Sequence, residues 1–175
     1  MRDSQKTKVD RWQNAAFGSY LRTDAPITAG QAVTILQESL VRYGFTPPLR
    51  GAISLRTYKI KVPKCDPETL DFEIPSKAMT PFVIFHEAAH LLAHLITNRH
   101  KLEDSAPHSP LFVTVFSDLL IYGLGLDAGS VLEPLRDHRI RSYNYIKFKE
   151  ICPRQATTCF PLPRDYSSLP ENLHG

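Results

Sequence analysis

A chain of 175 residues has room for one well-buried core but not for two full domains. Its composition, 42% apolar and 22% charged, excludes a disordered or low-complexity polymer. A formal charge of +3 is too small to imply a nucleic-acid partner by itself, and three cysteines (Cys65, Cys152, Cys159) do not make a disulfide framework. The opening stretch from Met1 to Trp12 is polar, and no apolar run reaches transmembrane length. A cytoplasmic protein with no membrane partner is the expectation.

Residues 4–22 read as a helix with a sparse apolar stripe of Val9, Trp12, Ala16 and Tyr20. A second helix is expected from about 28 to 44. Thr28 caps it, Ala32, Ile35, Leu36, Leu40 and Tyr43 form its inner face, and Gly44 with Pro47-Pro48 ends it. Residues 51–63 read as a strand whose alternation changes phase midway, with Lys59, Lys61 and Lys64 giving it an edge character. Leu70, Phe72 and Ile74 alternate with Asp71 and Glu73 over 69–74. The two runs, joined through Asp66-Pro67, predict an antiparallel β-hairpin.

Thr80-Pro81 is a strong helix start, and the helix it opens runs to about Asn98. This segment is apolar almost all round, so it should be the central buried helix. A polar loop over 99–107 follows. Ser109-Pro110 then opens another helix with Leu111, Phe112, Val115, Phe116, Leu119 and Leu120 on one face, ended by Gly123 and Gly125. Residues 129–139 suggest one more helix, and Tyr143 to Phe148 a short strand. From 151 onward the chain is proline-rich and without period, which divides it into a domain over 1–150 and a tail over 151–175.

The chemistry lies in HEAAH, His86 to His90. On a helix, residues i and i+4 share a face, so both imidazoles can reach one zinc ion. Glu87 is placed to act as general base toward a water that the ion acidifies. Three polar groups on an otherwise apolar helix would be a desolvation cost without return unless a metal compensates.

A catalytic zinc needs a third protein ligand. His94 continues the stripe, but eight residues of helix rise about 12 Å, too far for one ion to meet all three rings. It reads instead as a supporting or core histidine, and His100 as a solvated one. His108 is the choice. It follows His90 after 17 intervening residues and stands just before a helix start, whose positive end favours the neutral imidazole a metal requires. Glu103, Asp104, Asp118, Asp127 and His138 are the rivals. Tyr122, Tyr143, Tyr145, Arg136 and His138 are available to stabilise an oxyanion, and the sequence selects none of them.

HEAAH followed by a variable loop and HSPLF (His108 to Phe112) resembles the SprT-like group of zinc metallopeptidases, whose second motif is usually His-Gly-Pro-x-Phe. It is closer still to a family of small bacterial and phage metallohydrolases that begin with Arg-Asp-x-Gln, here Arg2-Asp3-Ser4-Gln5. The resemblance covers 2–22 loosely and 80–126 well. It implies His86, His90 and His108 as zinc ligands and Glu87 as general base. It also implies a minimal zincin-like α+β domain, with a small sheet edge over the active helix. Ser109 departs from the usual glycine, and the paired-cysteine ribbon of some SprT-like proteins is absent.

The expectation is therefore a zinc-dependent peptidase acting on a protein or peptide. The alternative is a zinc-containing binding or regulatory module without catalysis. A nucleic-acid version of that alternative draws on the basic cluster Arg136, Arg139, Arg141, Lys147 and Lys149. Amide hydrolysis of a non-protein substrate would use the same ligands.

Overall fold

The computed structural model describes residues 5–23, 25–45, 53–58, 63–103 and 106–152. The proline-rich tail from 153, Arg2-Asp3-Ser4, Pro47-Pro48, Asp104, and residues 51–52 and 59–62 of the run predicted as a strand lie outside them.

Two helices come first. α1 spans Lys6–Thr23 and α2 spans Ala29–Arg42. Thr28 closes a full capping box: its Oγ1 accepts from the Gln31 N–H at 3.2 Å, and its own N–H donates to Gln31 Oε1 at 2.7 Å. Gly44, at φ +71°, takes the left-handed conformation that ends this segment. Val9 and Trp12 of α1 and Ala32, Ile35, Leu36 and Leu40 of α2 are buried, as their spacing predicts.

Three strands follow: β1 (Ser54–Tyr58), β2 (Lys64–Asp66) and β3 (Asp71–Pro75), in the order β1-β3-β2. The predicted antiparallel hairpin over 51–63 and 69–74 is corrected here. β1 runs parallel to β3, with Leu55 opposite Phe72, and the antiparallel partner of β3 is the short β2, with Cys65 opposite Phe72. The sheet is thus mixed. Of the long run, 54–58 form β1, and β2 starts at Lys64, just past the run's end. The tight turn belongs to 66–70, where Asp66 Oδ1 accepts from the Glu68 N–H at 3.0 Å and Leu70 sits at φ +57°. Phe72 and Ile74 send the inner face of β3 into the core.

A single 3-10 turn at Ser76–Ala78 leads to α3 (Pro81–His100), which is two residues longer than predicted. Thr80 caps it and Lys101, left-handed at φ +51°, terminates it. α4 (Pro110–Gly123) starts at Ser109, whose Oγ accepts from the Phe112 N–H at 3.1 Å. α3 packs mainly on α4, with α2 on its other flank and β2 crossing near it. A run of rings joins the helices. Trp12 meets Phe116 edge-on at 5.9 Å, Phe82 meets Phe116 at 5.4 Å, and Phe112 stacks on Phe116 at 5.7 Å. Such pairs contribute about 0.5–1.5 kcal/mol each beyond their burial.

α5 (Ala128–Asp137) is capped by Asp127 and α6 (Tyr145–Ile151) by Asn144. The predicted strand from Tyr143 to Phe148 is therefore a helix. Its aromatic residues favour a strand, but the Asn144 carboxamide oxygen accepts from the N–H groups of both Ile146 and Lys147, which starts a helical turn. Among the described residues the fold is α+β, with six α-helices and a three-stranded mixed sheet. No helix among them is long and apolar enough to cross a membrane.

Candidate metal centre

His86 and His90 stand one turn apart on α3, and their Nε2 atoms are 3.1 Å from each other. His108 comes from the loop before α4. Its ring lies 5.0 Å from that of His90 and 5.8 Å from that of His86. One ligand atom from each histidine falls within 4.8 Å of the others, close enough to hold a metal ion. A tetrahedral zinc site with bonds of about 2.0–2.1 Å has an edge of roughly 3.3 Å. The His86–His90 pair is already at that spacing and the third donor lies within 4.8 Å, so the three histidines are close enough for a metal ion. Among the described residues no fourth histidine, cysteine or carboxylate joins the group.

Aromatic packing sets the rings. His90 stacks on Phe112 at 4.3 Å and 25°, and His86 meets Phe112 and Phe116 at 5.2 and 5.3 Å. His108 is buried, and its ring meets Phe112 at 5.0 Å. Burial, then the neighbouring His90, His108 and Lys6 charges, hold His86 well below the usual imidazole range, so it stays neutral. Neutral imidazole is the form that binds a metal.

Glu87 lines the same groove, which encloses about 860 Å³ between α1, α3, β2 and the loop carrying His108. It is 5% exposed and burial pushes its carboxyl up to about 7. Across the groove Cys65 of β2 is held as a thiol by burial, and by the Glu87 and Asp66 charges, and it does not join the histidine cluster.

Two glutamines were not anticipated as site residues. Gln13 places its side-chain amide nitrogen 3.0 Å from His86 Nδ1. Gln5, almost fully buried, donates to the His108 carbonyl at 3.2 Å and to the Arg141 carbonyl at 3.3 Å, and accepts from the Arg141 N–H at 2.7 Å. The available signal was their spacing. Gln5 stands just before α1, four residues ahead of Val9, and Gln13 four residues after it, so polar groups flank buried Val9.

The described rivals for the third ligand are placed elsewhere, and Asp104 lies outside the described residues. Asp118 is buried against Tyr43, whose hydroxyl donates to it at 2.7 Å, and against Arg42 at 3.4 Å. Asp127 caps α5, His138 ends it, and Glu103 is exposed outside the cluster. His94 lies in the groove with its Nε2 2.8 Å from the Asn98 amide nitrogen, apart from the three ligands. His100 is partly buried, with no partner for its Nε2, rather than solvated.

The oxyanion candidates Tyr122, Tyr143, Arg136 and His138 do not line the groove. Tyr122, Tyr143 and Arg136, with Arg139 and Arg141 of the basic cluster, border a second cleft between α4 and α5. Lys147 and Lys149 are exposed on α6. Set against family models, curated proteins and solved structures, the chain gives no match in any of the three.

Proposed function

We propose that the protein is a zinc-dependent hydrolase of the SprT-like, zincin-like kind, acting on a peptide bond. The observation that carries this reading is the placement of a buried, proton-accepting Glu87 in one groove with three convergent histidines. Zinc held by His86, His90 and His108 supplies Lewis acidity toward a carbonyl and acidifies a water near neutral pH.

The chain's own residues do the rest. Glu87 accepts the proton of that water and returns it to the departing amine, a task that suits a carboxyl lifted to about 7. Phe112 and Phe116 exclude water from the back of the imidazoles. β2 is an edge of the sheet, and its residues Lys64 and Cys65 line the groove. An extended peptide pairing along that edge would run past the histidines, held by main-chain hydrogen bonds. Three histidines in an open groove, with no fourth ligand beside them among the described residues, favour catalysis over a closed structural site, which would use four.

The test pairs metal content with hydrolysis. Protein purified without added metal should hold one zinc per chain and cleave an unfolded protein substrate. Glu87→Gln should keep the zinc and lose cleavage. Full cleavage by that variant would overturn the mechanism, and a parent that takes up no zinc would overturn the reading of the site.

A further inference from the structure

We infer that Gln13 of α1 is a positioning residue that sets the ring and the proton of His86. This rests on the zinc reading above. His86 Nε2 faces His90 Nε2 at 3.1 Å, so Nε2 is the atom turned toward the ligand cluster. Nδ1 points the other way, into the Gln13 amide at 3.0 Å. A histidine that gives Nε2 to a metal carries its proton on Nδ1 and needs an acceptor there.

An amide serves both states of the site. Without metal, His86 Nε2 can donate to His90, and Nδ1 accepts from the Gln13 NH₂ as the atoms now stand. With metal, the proton moves to Nδ1. Half a turn about the last side-chain bond then brings Gln13 Oε1 round to accept it, because amide nitrogen and oxygen occupy nearly the same space. The backbone that presents Gln13 is held firmly. Its neighbour Trp12 is fully buried against Phe116, and Phe116 also touches His86. Gln13 thus acts on the ligand from a wall that shares its packing.

The chemistry gives two variants opposite signs. Gln13→Met keeps the length and removes the strong acceptor. Gln13→Glu is acceptor-only, so it serves the metal-bound state and not the metal-free one. The experiment is zinc affinity by competition with a chromophoric chelator, alongside the visible spectrum of the cobalt-substituted protein and far-ultraviolet circular dichroism. Gln13→Met should fold, bind zinc about 10- to 100-fold more weakly and shift the cobalt bands. Gln13→Glu should bind zinc at least as tightly as the parent. Parent-like affinity and spectrum in Gln13→Met would reduce Gln13 to a wall residue. Equal weakening in both variants would show that side-chain shape matters and proton acceptance does not. Should Gln13→Met fail to fold, the sign of the Gln13→Glu change decides alone. A parent that binds no zinc sinks the site reading and this inference with it. A parent that binds, beside unaffected variants, sinks only this inference.

Discussion

His90 lies nearly parallel on the ring of Phe112, with centroids 4.3 Å apart and planes 25° apart. Phe112 is also the residue whose N–H is capped by Ser109, one position after His108. The ring that backs His90 and the cap that follows His108 therefore belong to the same first turn of α4. Phe112→Ala should cost about 3–5 kcal/mol of stability and weaken zinc binding together. Ser109→Ala should cost about 1 kcal/mol and Ser109→Gly only a few tenths, since glycine is a tolerable cap. Urea unfolding of each variant, with zinc titration in parallel, measures both effects. Undiminished zinc affinity in Phe112→Ala would remove the ring from the site.

Gln5 ties the N-terminal end of the chain to the loop of the third ligand. Its carboxamide serves the His108 carbonyl and both main-chain polar groups of Arg141. Gln5→Leu leaves these groups without that partner, at a cost of about 1–3 kcal/mol. Zinc binding should weaken in step, because the His108 backbone then loses this tie to the N-terminal segment. Gln5→Glu keeps an acceptor for the Arg141 N–H but loses the donor to two carbonyls, so it should rescue stability little. A variant as stable as the parent, with equal zinc affinity, would show that the clamp is incidental.

What the sequence made legible follows the range of its signals. Thr80-Pro81 and Ser109-Pro110 are local start signals, and both helices begin there. His86 and His90 depend only on helical spacing, and His108 on standing just before a cap. Strand pairing is not local. Alternation shows which face of β3 is buried but not that β1 joins it in parallel while β2 turns back on it. Around Tyr143 to Phe148 the aromatic residues suit a strand, whereas in the fold the side-chain cap of Asn144 starts a helix. Gln5 and Gln13 show why partners of a ligand are hard to read. Each is an ordinary polar residue at or near α1 until its partner arrives from far along the chain, 73 residues for Gln13 with His86 and 103 for Gln5 with His108.

Gly123 was expected only to end α4, yet it is the last residue of that helix and clears the Phe85 ring. A Cβ there would stand 2.6 Å from Phe85 Cζ, while the left-handed turn is taken by Gly125 at φ +66°. Phe85 is buried, so its ring must displace other core atoms to make room. Gly123→Ala should therefore destabilise by about 1–3 kcal/mol despite the helix propensity of alanine. Phe85 neighbours His86 in sequence but belongs to the core face, so zinc stoichiometry should stay at the parent value. A more stable Gly123→Ala variant in thermal unfolding would show that the ring moves freely.

The buried carboxyl of Glu87 makes the metal-free protein sensitive to pH in a stated direction. Burial raises it from an ordinary 4.5 to about 7, so between those values the folded chain holds a proton that the unfolded chain has released. The stability it contributes is present below pH 4.5 and is lost as pH rises through 7. A shift of that size amounts to about 3 kcal/mol. His86 works with the opposite sign. Held neutral by burial and by nearby positive groups, it leaves the unfolded chain to take up the proton, so its stability is lost as pH falls below 6.5. Glu87→Gln removes the first effect and retains the second. With zinc stripped, the stability of Glu87→Gln relative to the parent should rise by about 3 kcal/mol between pH 4.5 and pH 8. Urea unfolding at the two pH values measures that difference, and titrations common to both proteins cancel. A difference independent of pH would mean that Glu87 ionises in the folded chain as it does in water, and is not the lifted carboxyl that the proposed proton transfer uses.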